Sequence, residues 1–133
     1  NEEDKARIEL VRRTIGPDKT LMVDMNCTWD VDDVLRARSF FEKNDIFMIE
    51  EPTRSDDIAG YRRLTREMGG IRVAGIESEQ GVSRFGEMIA TDTMDVVQAS
   101  LGWAGGFTGC RKIASTAQVF DKLYTPHSFS QPL

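Results

Sequence analysis

Phe47-Met48-Ile49-Glu50-Glu51-Pro52 sets three apolar residues directly before two carboxylates and a proline. A run that is hydrophobic on both faces suits a parallel strand covered by helices, and the proline disfavours helix at the residue before it and ends the strand ladder. The stretch predicts a buried strand that delivers acid at its end, with Glu50 where strand becomes loop. Chemistry alone leaves Glu50 against Glu51 open, because adjacent glutamates are equally good oxygen donors. Strand geometry favours Glu50.

The same pattern recurs on both sides of this stretch. Toward the N-terminus, Ile8, Val11 and Ile15 follow helical spacing from Glu2 to Ile15, closed by Gly16-Pro17, and Leu21 to Val23 forms a strand ending at Asp24. Asp30 then caps a helix with Val31, Val34, Leu35 and Phe41 on one side, running to Lys43. Toward the C-terminus, Ser55 or Asp56 caps a helix carrying Ile58, Tyr61, Leu64 and Met68, which Gly69-Gly70 stops. A strand from Ile71 to Ala74 ends near Glu77, a helix carries Val82, Phe85, Met88 and Ile89, and a strand from Asp95 to Gln98 ends near Ser100. Gly102 to Gly106 reads as a tight turn without the spacing of a phosphate loop. A helix from Phe107 to Phe120 and a strand from Lys122 to Thr125, ending at His127, complete the series.

Five short apolar strands alternating with helices at intervals of roughly 25 residues predict an α/β fold with repeated βαβ units and a parallel sheet. Parallel strands share one C-terminal rim, where such folds hold their chemistry. Asp24, Glu50, Glu77, Ser100 and His127 should therefore converge. Three carboxylates brought together repel one another unless a cation neutralises them, and oxygen donors favour a hard ion such as magnesium over zinc. Each residue also has a plainer role. Asp24 alone suits a turn or cap, Glu79 is as good an acid as Glu77, and a single histidine after a proline suits a loop. Cys27 and Cys110 read as packing thiols, reduced in an intracellular protein.

Composition narrows the classes further. The 133 residues carry 17 basic and 22 acidic side chains, a formal charge of -5, and no basic run that would suggest a nucleic-acid surface. The apolar runs are too short to span a bilayer, and the chain opens without a signal segment, so no nucleic acid or membrane partner and a cytoplasmic location are expected. The start at Asn1 and the end at Leu133 are consistent with a fragment.

The ordered motifs resemble the enolase superfamily, specifically its mandelate racemase and muconate-lactonizing enzyme group. Val23-Asp24-Met25-Asn26 is similar to the segment bearing that family's first metal ligand, and Ile49-Glu50-Glu51-Pro52 to the second. Ala74-Gly75-Ile76-Glu77 resembles the third, although the family usually has glycine where Ile76 stands. Val97-Gln98-Ala99-Ser100, followed by Gly105-Gly106, resembles the segment whose aspartate partners the catalytic histidine; Ser100 occupies that place here. Tyr124-Thr125-Pro126-His127-Ser128 resembles the histidine segment.

The resemblance implies a partial TIM-type (β/α) barrel, residues 1–133 being the central part of the barrel domain, with a capping domain and further strands outside it. It implies a magnesium cofactor held by Asp24, Glu50 and Glu77, a catalytic His127, and Asn26, Glu51 and Ser100 in contact with substrate or supporting the site. The implied chemistry is abstraction of the proton next to the carboxylate of a hydroxy acid or sugar acid through an enediolate, as a dehydratase (lyase) or racemase (isomerase). Dehydration is slightly favoured, because serine cannot supply the anion that raises histidine basicity. The alternative is a non-catalytic, metal-binding or oligomer-forming remnant. A small-molecule carboxylate substrate is expected as partner, with a homo-oligomer or the missing segments covering the open sheet.

Overall fold

The computed structural model describes residues 2–128. Five strands, β1 (Leu21–Asp24), β2 (Ile46–Glu50), β3 (Arg72–Gly75), β4 (Val96–Val97) and β5 (Leu123–Tyr124), form one sheet in sequential order with every pairing parallel. The helices are α1 (Glu2–Ile15), α2 (Val31–Arg36), α3 (Arg38–Lys43), α4 (Ile58–Glu67), α5 (Val82–Ala90) and α6 (Gly106–Val119). The parallel sheet is as the spacing of strands and helices predicts, and the fold is a partial (β/α) barrel of TIM type, as the family resemblance implies. No helix among the described residues is long and apolar enough to cross a membrane.

The two faces of the sheet are buried unequally. One carries the main core, in which Ile49, Val73 and Val97 meet Phe41, Tyr61, Leu64, Phe85, Met88 and Ile113 from the helices. The other holds a separate small cluster of Met48, Ala74 and Val96. Met22 and Leu123, on the two edge strands, are exposed. Removing the main set from water supplies the bulk of the stabilisation, at about 25 cal/mol per Å² of apolar surface.

Several predicted boundaries shift for physical reasons. The helix from Asp30 to Lys43 is two helices, broken at Ala37, whose N–H is shared between the carbonyls of Asp33 and Val34. The cap of α4 is neither Ser55 nor Asp56 but Asp57, whose Oδ1 accepts from the Gly60 N–H at 2.9 Å. Asp56 is engaged by Arg54 instead. The fourth strand is only two residues long, because Asp95 leaves the regular ladder and bonds around it: its N–H donates to the Val73 carbonyl and its Oδ2 accepts from the Val73 N–H, both at 2.9 Å.

The first helix departs most from its apolar pattern. α1 fully buries none of its residues, and Val11 is 42 % exposed, although Ile8 packs on the core. A polar clamp holds it instead. The Arg12 guanidinium donates to the carbonyls of Asn44, Gly16, Lys19 and Asp45, each at 2.8 Å, joining α1 to the loops that lead into β1 and β2. Arg12→Met keeps the aliphatic stem and removes every donor. With water replacing the outer bonds, it should cost about 2 kcal/mol in urea unfolding.

Candidate active site at the strand ends

Asp24 and Glu50 stand opposite each other because the register slips by one residue within β1–β2. Leu21 pairs with Ile46, but Met22 pairs with Met48, so β2 carries an extra residue and Asp24 meets Glu50 rather than Ile49. Since alternate residues point to opposite faces, this slip places both carboxylates on one side. Across the sheet the row continues through Ala74, Val96 and Leu123. His127 and Ser100 form a further parallel bridge beyond β4 and β5.

The backbone turns sharply where strands deliver these groups. Asn26 and Cys27, Glu51, and Ile76 all have positive φ, at 47°, 57°, 42° and 61°. Such values are uncommon outside glycine and unusual for a β-branched residue. The loops hold one another in this state: Met25 N–H donates to the Glu50 carbonyl, Cys27 N–H to that of Glu51, and Glu51 N–H to that of Ala74, at 2.9, 2.8 and 3.0 Å. Gly75 admits no side chain, since a Cβ there would lie 2.5 Å from the Tyr61 hydroxyl.

The turn at Glu51 sends the two adjacent glutamates to different neighbours. Glu50 Oε1 accepts from Gln98 Nε2 at 2.8 Å, whereas Glu51 Oε1 accepts from the Ser55 hydroxyl at 3.4 Å, and Ser55 is 3.5 Å from Cys27 Sγ. The pair Glu77 and Glu79 separates as well. Glu79 is drawn to Arg84 on α5, at 3.2 Å, while Glu77 Oε1 lies 3.2 Å from His127 Nε2. Glu77 is thus two residues beyond its strand and on the rim. Asp24 Oδ1 accepts from the Asn26 N–H at 2.9 Å, so it also closes a local turn.

Electrostatics tie these groups into one site. Burial pushes the Glu77 carboxyl above the usual carboxylate range, His127 pulls it down, and Glu51, Glu50 and Asp24 each push it up. Four acidic side chains therefore act within reach of one another. Among the described residues no three Asp, Glu, His or Cys side chains are gathered closely enough to hold a metal ion as they stand. The donors nevertheless fit a hard divalent cation in kind: they are all oxygens, they come from neighbouring strand ends, and their mutual repulsion is what a cation would relieve. Ser100 is buried and joins the His127 segment through the backbone, His127 N–H donating to the Ala99 carbonyl at 3.2 Å. Gln98 is the site residue the sequence reading passed over. Its one signal was a polar side chain at the end of an otherwise apolar strand.

A parallel (β/α) sheet with an acidic rim and one histidine at its C-terminal strand ends is the class of arrangement in which (β/α) barrels hold their chemistry. All of residues 1–133 match the family described as enolase C-terminal domain-like, and the chain belongs to that family. It is 34 % identical over 125 residues to a 3,6-anhydro-alpha-L-galactonate cycloisomerase of Streptomyces coelicolor, covering 94 % of this chain and 34 % of the relative. It superposes with a TM-score of 0.90 on a racemase from the same species crystallised with bound magnesium, at 33 % identity, covering 96 % of this chain and 36 % of the other. An L-talarate dehydratase from Polaromonas, crystallised with magnesium and L-glucarate, gives a TM-score of 0.89 at 30 % identity, with 96 % and 36 % covered. The chain spans about a third of the length of the curated relatives it matches.

Two predictions follow from the rim geometry. Ile76 is 1 % exposed, so its packing opposes its strain. Glycine would relieve about 1 kcal/mol of left-handed cost but forfeit at least about 2 kcal/mol of buried side chain, so Ile76→Gly should lower thermal stability. At Cys27, burial raises the thiol pKa, the Ser55 hydroxyl opposes this, and Glu51 adds to it. A raised pKa means thiolate appears only at higher pH, so alkylation by iodoacetamide should be slower than for free cysteine at pH 8. Its pH midpoint should fall in Glu51→Gln.

Proposed function

We propose that this chain carries the metal-binding and proton-transferring rim of a magnesium-dependent enzyme acting on hydroxy acids or sugar acids, as a dehydratase or racemase. The observation that carries the reading is the Glu77–His127 contact at 3.2 Å, made inside a group of carboxylates from three successive strand ends. In this reading Asp24, Glu50 and Glu77 hold the ion. When bound, magnesium supplies positive charge that stabilises the enediolate formed next to a substrate carboxylate.

His127 is assigned to proton transfer at Nε2, which faces Glu77 Oε1 at 3.2 Å. That carboxylate is an anionic partner of the kind Ser100 cannot be, and the choice between acid and base for His127 goes with the choice between dehydration and racemisation. Glu51 and Asn26 stand on the same rim, turned by their left-handed backbone, and are assigned to substrate contact or support of the site. Relatives that include a cycloisomerase, a racemase and a dehydratase support the class of substrate and leave the choice of reaction to the site itself.

Calorimetric titration with magnesium chloride tests the reading. The folded wild-type chain should bind, and Glu50→Gln should weaken binding at least tenfold, with thermal stability rising on magnesium addition only in the wild type. Absence of binding in a demonstrably folded wild type would remove the metal site. Magnesium binding by the full-length protein without hydrogen exchange at the carbon next to the carboxylate of any acid sugar would instead mark a non-catalytic remnant.

A further inference from the structure

Among the described residues the Glu50 carboxylate accepts one side-chain hydrogen bond, and it comes from two strands away. Gln98 follows β4 and is 6 % exposed, yet its Nε2 reaches Glu50 Oε1 at 2.8 Å. β3 lies between the two strands, and the residue it presents in register with Glu50 is Ala74. A methyl group there leaves room for the glutamine to cross. The far end of the same amide is poorly served: Gln98 Oε1 is buried and has no hydrogen-bond partner among the described residues.

An orphaned buried acceptor lowers stability, and an apolar side chain of similar volume would avoid that penalty. Packing therefore does not account for a glutamine here. Its effect on Glu50 does. A neutral N–H occupies one carboxylate oxygen and fixes the rotation of the group, leaving the second oxygen and the full negative charge available to a cation. Lysine or arginine would compete with a metal ion for that charge, and an acid would repel Glu50.

We propose that Gln98 is the positioning residue of Glu50, orienting it for a divalent cation at some cost in stability; this rests on the assignment of Glu50 to the metal site. The test combines magnesium calorimetry with thermal unfolding in the presence of chelator, on the wild type, Gln98→Leu and Gln98→Asn. The leucine variant should unfold at the same or a higher temperature while binding magnesium about tenfold more weakly, the range usual for groups that orient a metal ligand. Asparagine keeps the amide but is one carbon too short to reach, so it should lose affinity to a similar extent, and it decides the matter should the leucine variant not fold. Unchanged affinity in both variants overturns the inference and leaves the metal site standing. Affinity and unfolding temperature falling together in both variants would make Gln98 a structural residue. No binding to the folded wild type removes the metal site, and this role for Gln98 with it.

Discussion

One residue of slippage between β1 and β2 underlies the whole rim. Had the ladder continued from the Leu21–Ile46 pair without it, Asp24 would have met Ile49, and Glu50 would have had an apolar neighbour in register. The slip, an irregularity rare in parallel pairs, falls near the start of the ladder, where Met22 is exposed. Its result is two like charges side by side on a sheet. That pairing is unfavourable by itself and becomes useful when a cation is present.

The strained turns belong to the same logic. Each of the first three strands is followed by a non-glycine residue in left-handed backbone; the turns after β1 and β2 are held by hydrogen bonds to the neighbouring strand end, and the turn at Ile76 by a local bond from the Glu79 N–H to the Ile76 carbonyl and by burial. None of the loops is set by its own sequence alone. Ile76 is the clearest case: its strain is opposed by full burial, so the chain holds Glu77 in place by packing where a glycine would hold it by conformational freedom.

The same economy extends to His127. With Ser100 buried at the matching position of the next strand, the anionic neighbour of the imidazole is Glu77 from β3's loop. One carboxylate thus faces both the imidazole and the other rim acids.

What could be read directly from the amino acids was the order of elements, the parallel sheet and the presence of acids at its strand ends. Apolar runs of strand length, helical periodicity and Gly or Pro stops are local signals, and Phe47 to Pro52 carries the first and the last of them in six residues. The α1 stripe misled, since helical spacing shows which residues share a face but not whether anything covers it, and Arg12 anchors that helix instead. Asp57 displaced Ser55 and Asp56 as a cap because capping depends on where the turn begins. Tertiary structure alone decided the register that pairs Asp24 with Glu50, the split between Glu50 and Glu51, the turning of Glu77 to His127, and the reach of Gln98 across Ala74. Each depends on the relative height and spacing of strands far apart in the chain, and local sequence carries no record of either.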